Sequence, residues 1–388
     1  MEVPSGFLLG GVKKDDVGVG LLFSEKPCSV AGAFTRNTLR AAPVEYSEEV
    51  CARGRARGII VNSGHANALT GEEGMQDVLR MADGASRLFG VPDDEVLVCS
   101  TGVIGERPPV DRILRLAEKV WESGMGADPK HVRAFNRAIM TTDTREKLSS
   151  YSGDGWSLLG VAKGAGMIHP NMSTMLAFLI TDVRASPRRL AATLRASVED
   201  TFNMISVDGD ESTNDTVLLL ANGASGLELG KDVPVSEFED AVLRVCEDLA
   251  REIARDGEGA TKLLEVEVRE ARSKEEARRA ARAVVSSNLV KAALFGEDPN
   301  WGRVGAAIGA ARVDVDPDSL RISFESSKGR VVTYDGGPVE FDERRAARVL
   351  SDREVRIVVE LGTGRASARA WGCDLTYDYV EINAEYRT

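Results

Sequence analysis

Residues 163–182 read KGAGMIHPNMSTMLAFLITD and constrain this chain more than any other stretch. The apolar run that ends there, residues 175–181, has the length and composition of a buried strand. The residues before it are rich in glycine, proline and asparagine and read as a kinked loop. Thr174 stands at the mouth of the strand, directly after the small Ser173. A hydroxyl in that setting is placed for the chain to cut itself. Cleavage before Thr174 would leave a free α-amino group beside the threonine hydroxyl, and such an amine can act as base for the hydroxyl. This gives acyl-transfer chemistry to a chain with only three histidines, His65, His131 and His169.

The chain has 388 residues, enough for two lobes or one large domain. A hydrophobic share of 43% against 28% charged residues suits a globular protein with an ample core. The net charge of −12 argues against a nucleic-acid binder, while an acidic field favours the approach of small cations. Cys28, Cys51, Cys99, Cys246 and Cys373 are scattered and never form a CxxC pair. A disulfide framework or zinc site is not expected, and a reducing compartment fits. No signal peptide is evident at the start, and no apolar run approaches membrane-spanning length. The expected location is the cytoplasm.

Helical and extended patterns alternate irregularly, which points to α/β layers. Residues 108–123 open on two prolines and carry Ile113, Leu114, Ala117 and Val120 at helical spacing. Ser236 with Glu239, and Ser273 with Glu276, are spaced as capping boxes. The first predicts a helix with the apolar face Phe238, Val242, Val245, Leu249 and Ile253. Strands are expected at 58–62, 96–100, 175–181, 216–220, 264–268, 320–323 and 355–361. The last hundred residues are rich in strand signals and are expected to form a second lobe.

Familiar catalytic patterns are missing. There is no HExxH, no GxSxG elbow, no phosphate-binding GxxxxGK[ST] loop and no complete dinucleotide fingerprint. Residues 97–106, LVCSTGVIGE, read as a strand ending in a tight turn. There the Thr101 hydroxyl and nearby backbone N–H groups could converge on an anionic oxygen, although an ordinary strand-to-loop turn reads the same way. Asp208, Asp210, Glu211 and Asp215 cluster in 206–216 without calcium-loop spacing, so a hydrogen-bonded turn is favoured over a metal site. Glu258 lies in RDGEGATK, a loop that ends the preceding helix.

Eight ordered segments resemble the glutamate N-acetyltransferase (ornithine acetyltransferase) family of arginine biosynthesis. They are VNSGHANALTG (61–71), CSTGVIGE (99–106), IMTTDT (139–144), KGAGMIHPNMSTMLAFLITD (163–182), VDGDESTNDT (207–216), RDGEGATK (255–262), FGEDPNWGR (295–303) and INAEYRT (382–388). The resemblance implies self-cleavage between Ser173 and Thr174 into an α chain, 1–173, and a β chain, 174–388, the latter with a C-terminal lobe from about 290 to 388. Thr174 would be the nucleophile that carries acetyl, with Thr101 and Gly102 as the oxyanion hole. Thr141 (favoured over Thr142), Lys163, Thr174, Glu258, Asn383 and Thr388 match the family's substrate-binding positions. Position 173 is Ser where the family more often has Ala.

The implied fold is a layered α/β sandwich of the αββα type with a smaller C-terminal α/β lobe, assembled as α2β2. The implied substrates are N-acetylornithine, glutamate and ornithine in a ping-pong scheme. No cofactor or metal is implied, with acetyl-CoA as a further co-substrate in some members. The competing readings are an aminopeptidase or amidase with an N-terminal nucleophile, and an uncleaved amino-acid-binding protein.

Overall fold

The computed structural model describes residues 1–169 and 175–385. The chain is a layered α/β sandwich built on two sheets. The larger has eight strands and runs, from one edge, Val96–Val103, Arg55–His65, Val17–Phe34, Thr216–Ala221, Leu176–Thr181, Ser157–Lys163 and Lys147–Ser152, with Phe7–Lys14 paired to Val17–Phe34. The smaller has six strands, in the order Gly329–Asp335, Arg321–Ser326, Glu354–Glu360, Leu263–Ala271, Ala366–Cys373 and Ile205–Ser206.

The continuous apolar run predicted as a strand lies in the middle of the larger sheet. Every residue of Leu176–Thr181 is buried, because both faces of the sheet are covered. Leu176, Phe178 and Ile180 enter one core with the helices Gly71–Phe89, Val110–Glu122 and Pro129–Ile139. Ala177 and Leu179 enter a second core with Pro187–Asp200 and Val235–Arg255. The period-two alternation of a strand thus feeds two cores at once.

The helix Val235–Arg255 buries Phe238, Val242, Val245, Leu249 and Ile253, the face read from the sequence. It does not begin with a capping box. Its N-cap is Pro234, whose side chain has no acceptor, and Ser236 already lies inside the first turn. Ser273 does cap Lys274–Val285, accepting the Glu276 N–H. Val235–Arg255 packs on both sheets: Ser149 of the larger sheet donates to its Asp248, and its Arg251 pairs with Glu265 of the smaller one. Residues 7–24 form a hairpin whose second strand runs on to Phe34, and the sequence does not signal it, because its glycines and the Glu25–Lys26–Pro27 step read as turns.

The strand Val17–Phe34 changes partners along its length. Residues 18–23 pair with 58–63 and residues 29–34 with 216–221, with a register break between Phe23 and Cys28. Such breaks bend a sheet. The result is that strand ends from opposite halves of the larger sheet meet. Among the described residues no helix is long and apolar enough to cross a membrane.

Phe178 is fully buried and meets the Phe135 ring edge-on at 5.5 Å. Phe178→Ala is expected to lower stability by about 3–5 kcal/mol, measured by equilibrium denaturant unfolding.

Candidate active site

The strand ends converge on a pocket of about 140 Å³ whose walls include Thr101, Gly102, Thr141, Lys163, Asp208, Glu258 and Asn383. Lys163 is the last residue of its strand and is 2% exposed. Its ammonium donates to Thr101 Oγ1 at 3.1 Å and to Thr141 Oγ1 at 2.8 Å. Thr142 also lines the pocket, but the hydroxyl that meets Lys163 is that of Thr141.

Thr101 sits where Val96–Val103 leaves the sheet, paired with Ser63. The next residue must be glycine. Gly102 has φ +132°, and a Cβ there would lie 2.2 Å from the Gly64 carbonyl carbon. Beneath the turn, Asn214 donates to the Ala66 and Ser100 carbonyls, joining the loop 207–215 to the pocket floor.

Behind Lys163 lies a buried charge network that the sequence reading missed. Asp143 Oδ2 is 3.9 Å from Lys163 Nζ, and its Oδ1 accepts from Lys147 Nζ at 2.7 Å and from the Gly164 N–H at 2.6 Å. Lys147 also donates to Asp256 Oδ2 at 2.6 Å, and Asp256 takes the Thr144 and Arg145 N–H groups. Burial alone would raise the Asp143 carboxyl, but Lys163 and Lys147 outweigh it and bring it down to about 2. Burial pulls the Lys163 ammonium below its ordinary range, while Asp143 opposes that pull. Asp143 and Asp256 stand inside the family-like segments 139–144 and 255–262. The only local signal was a charged residue beside glycine or threonine.

Glu258 comes from the loop after Val235–Arg255. Its N–H donates to Ala165 O, and its Oε2 accepts from Asn383 Nδ2 at 2.9 Å. Gly166 makes room for it, because a Cβ at 166 would lie 2.3 Å from the Glu258 carboxyl. Asn383 and the pocket-lining Tyr379 are carried by the C-terminal helix Tyr377–Glu385, which has no buried residue. Burial, and then the nearby Asp208, Asp210 and Glu258, raise the Tyr379 phenol. Asp208 accepts from the Met167, Ile168 and Asp210 N–H groups, as the hydrogen-bonded turn reading expects. His169 meets Ser206 Oγ through Nδ1 at 3.2 Å. Thr101, Gly102, Thr141, Lys163, Glu258 and Asn383 are therefore brought together. Ser173, Thr174 and Thr388 lie outside the described residues.

The chain matches the ArgJ family over residues 6–388. It belongs to that family. It is similar to the glutamate N-acetyltransferase of Methanopyrus kandleri, with 70% identity over the whole of both chains. It is 47% identical to the arginine biosynthesis bifunctional protein ArgJ of Thermotoga neapolitana, again over both whole chains. The crystal structure of the bifunctional protein argJ from Bacillus halodurans is 42% identical with a TM-score of 0.51, covering 54% of this chain and 98% of that one. This ArgJ-family chain is an acetyltransferase of arginine biosynthesis.

Removing one partner of a buried ion pair leaves the other charge uncompensated. Lys147→Met is therefore expected to cost about 3–5 kcal/mol of stability in denaturant unfolding. Burial holds the Asp208 carboxyl up at about 6, against the hydrogen bonds it accepts. The folded chain then binds this proton more tightly than the unfolded one, so Asp208 favours folding at low pH. Stability from this source is lost as pH rises from about 4 to about 6 and is level above. Wild type minus Asp208→Asn, measured as unfolding free energy across pH, should show that falling slope.

Proposed function

We propose that this chain transfers acetyl from N-acetylornithine to glutamate through an acetyl ester on Thr174, after cutting itself between Ser173 and Thr174. The observation that carries this reading is the contact of the buried Lys163 ammonium with the Thr101 hydroxyl. A hydroxyl has one proton to give. With Lys163 donating to the Thr101 oxygen, that proton is left to point away from Lys163, into the pocket. Thr101 then becomes a charge-assisted donor for an oxyanion, and Gly102 supplies the adjoining backbone.

The steps follow from this. The α-amine of Thr174, with an ordinary pKa of about 8, takes the hydroxyl proton as Oγ attacks the acetyl carbonyl. Thr101 and Gly102 hold the oxyanion, ornithine leaves with the proton, and glutamate repeats the sequence in reverse. Lys163 and Thr141 suit the carboxylate end of either amino acid. Glu258, fixed by Asn383, suits the ammonium of ornithine. Thr388 is the remaining substrate-binding position. The half-length of the solved Bacillus halodurans chain, which matches 54% of this one, supports a two-chain form cut near the middle. We place the cleaved protomers in an α2β2 assembly in the cytoplasm, where the five free thiols would stay reduced.

Mass spectrometry under denaturing conditions should find two polypeptides divided between Ser173 and Thr174. Thr174→Ala should remain whole and transfer no acetyl. Thr101→Val should lose about 10²–10³ in kcat with little change in KM. Parallel assays with N-acetylornithine and acetyl-CoA as donors separate a monofunctional enzyme from a bifunctional one. Rapid hydrolysis of small peptides without an acceptor amine would favour the aminopeptidase reading instead.

A further inference from the structure

The C-terminal helix Tyr377–Glu385 has no buried residue, yet its first turn is tied down. The Thr376 hydroxyl donates to the Gly259 carbonyl at 2.6 Å and accepts the Tyr379 N–H at 3.3 Å. Gly259 has φ +68°, and a Cβ there would lie 2.4 Å from the Tyr379 nitrogen, so the two backbones touch. The Asn383 amide donates to the Tyr379 carbonyl at 3.0 Å and to Glu258 Oε2 at 2.9 Å. One amide thus holds Tyr379 and Glu258 together, and both line the pocket.

The phenol stands among Asp208, Asp210 and Glu258, which, after burial, raise it above its ordinary range. It therefore keeps its proton at neutral pH. No side-chain hydrogen bond holds its hydroxyl among the described residues. A neutral hydroxyl both donates and accepts, whereas a carboxylate only accepts.

That difference bears on a problem the pocket poses. N-acetylornithine and glutamate are to occupy it in turn, with Lys163 and Thr141 at the carboxylate end of each. Their side chains then end in opposite charges near Glu258, an ammonium in one and a carboxylate in the other. The ammonium meets Asp208, Asp210 and Glu258 as opposite charges. The glutamate carboxylate meets the same three as like charges and needs a donor there.

We propose that Tyr379 is the specificity residue that admits both side chains, its hydroxyl accepting from the ammonium and donating to the carboxylate. This rests on the acetyl-transfer reading given above and deepens it. The phenol matters most for glutamate, because the ammonium has three carboxylates besides and the carboxylate has none to meet it. The helix that carries Tyr379 is thus part of what selects the acceptor.

The test is a grid of initial rates against both substrates for wild type and Tyr379→Phe, paired with calorimetric titration of each protein with glutamate and with ornithine. The phenylalanine keeps the ring and the backbone ties and removes the hydroxyl alone. The KM for glutamate should rise about 10–100-fold, and that for N-acetylornithine by no more than about fivefold. The calorimetric affinities should split in the same way. Asp210→Asn removes one of the like charges from an exposed part of the rim, and it should lower the KM for glutamate while raising that for N-acetylornithine. Tyr379→Leu should show the same split as Tyr379→Phe and carries the test if the latter does not fold. Equal changes in the two KM values, no change in either, or a larger change for N-acetylornithine would each overturn the role of Tyr379, as would an Asp210→Asn chain with an unchanged or higher KM for glutamate. A wild-type chain that moves no acetyl between the two substrates would overturn the acetyl-transfer reading, and the calorimetric split would then decide Tyr379 by itself.

Discussion

The burial of the Lys163 ammonium is the constraint on which the rest of this site depends. A lysine 2% exposed must be met by hydrogen-bond acceptors and opposite charge. Thr101, Thr141 and Asp143 supply these from two separate segments, so all must hold position together. Asp143 is itself held by Lys147, and Lys147 by Asp256 at the end of Val235–Arg255. One buried charge thus ties a strand end of the larger sheet to the helix that packs on both sheets. The same ties keep the Thr101 hydroxyl aimed and the Glu258 loop close.

Among the described residues, the pocket that results has one buried cation, Lys163, with carboxylates around it. Asp208, Asp210 and Glu258 line the same cavity as Lys163. A ligand with both a carboxylate and an ammonium meets complementary charge at each end, and an acidic rim favours the approach of a cationic amino acid. The C-terminal helix adds Asn383 and Tyr379 from the far end of the chain, so the site draws on both halves of the sequence.

Particular elements show how far local patterns reach. The strand Leu176–Thr181 was legible because both its faces are buried and the run is apolar without interruption. The apolar face of Val235–Arg255 was legible from its 3.6-residue period, yet its start was not. A serine with a glutamate three residues on imitates a capping box, but here Pro234 is the N-cap and Val235 already opens the helix, so Ser236 falls inside the first turn. The strands Phe7–Lys14 and Val17–Phe34 stayed hidden because their small residues give a weak strand signal and Pro27 reads as a break. Thr101, Gly102, Thr141, Lys163, Glu258 and Asn383 could be named from motif resemblance. Asp143, Lys147 and Asp256 were not singled out, since the value of a buried charge depends on partners more than a hundred residues away, as with Lys147 and Asp256.

The amino-acid sequence by itself determined the α/β class, the buried strand after Thr174, the family and most of the site residues. These follow from local composition, period and motif, which are properties of short stretches of chain. Tertiary structure alone decided that Thr101 and Lys163, on opposite halves of one sheet, stand 3.1 Å apart. It also decided that Asp215, fully buried, holds the Met175 N–H. The first depends on how a broken strand register bends the sheet, the second on the parallel pairing that sets Leu176 beside Thr216, and both on which charges the fold removes from water. Burial and approach in space are set by the whole chain at once, so no single segment encodes them.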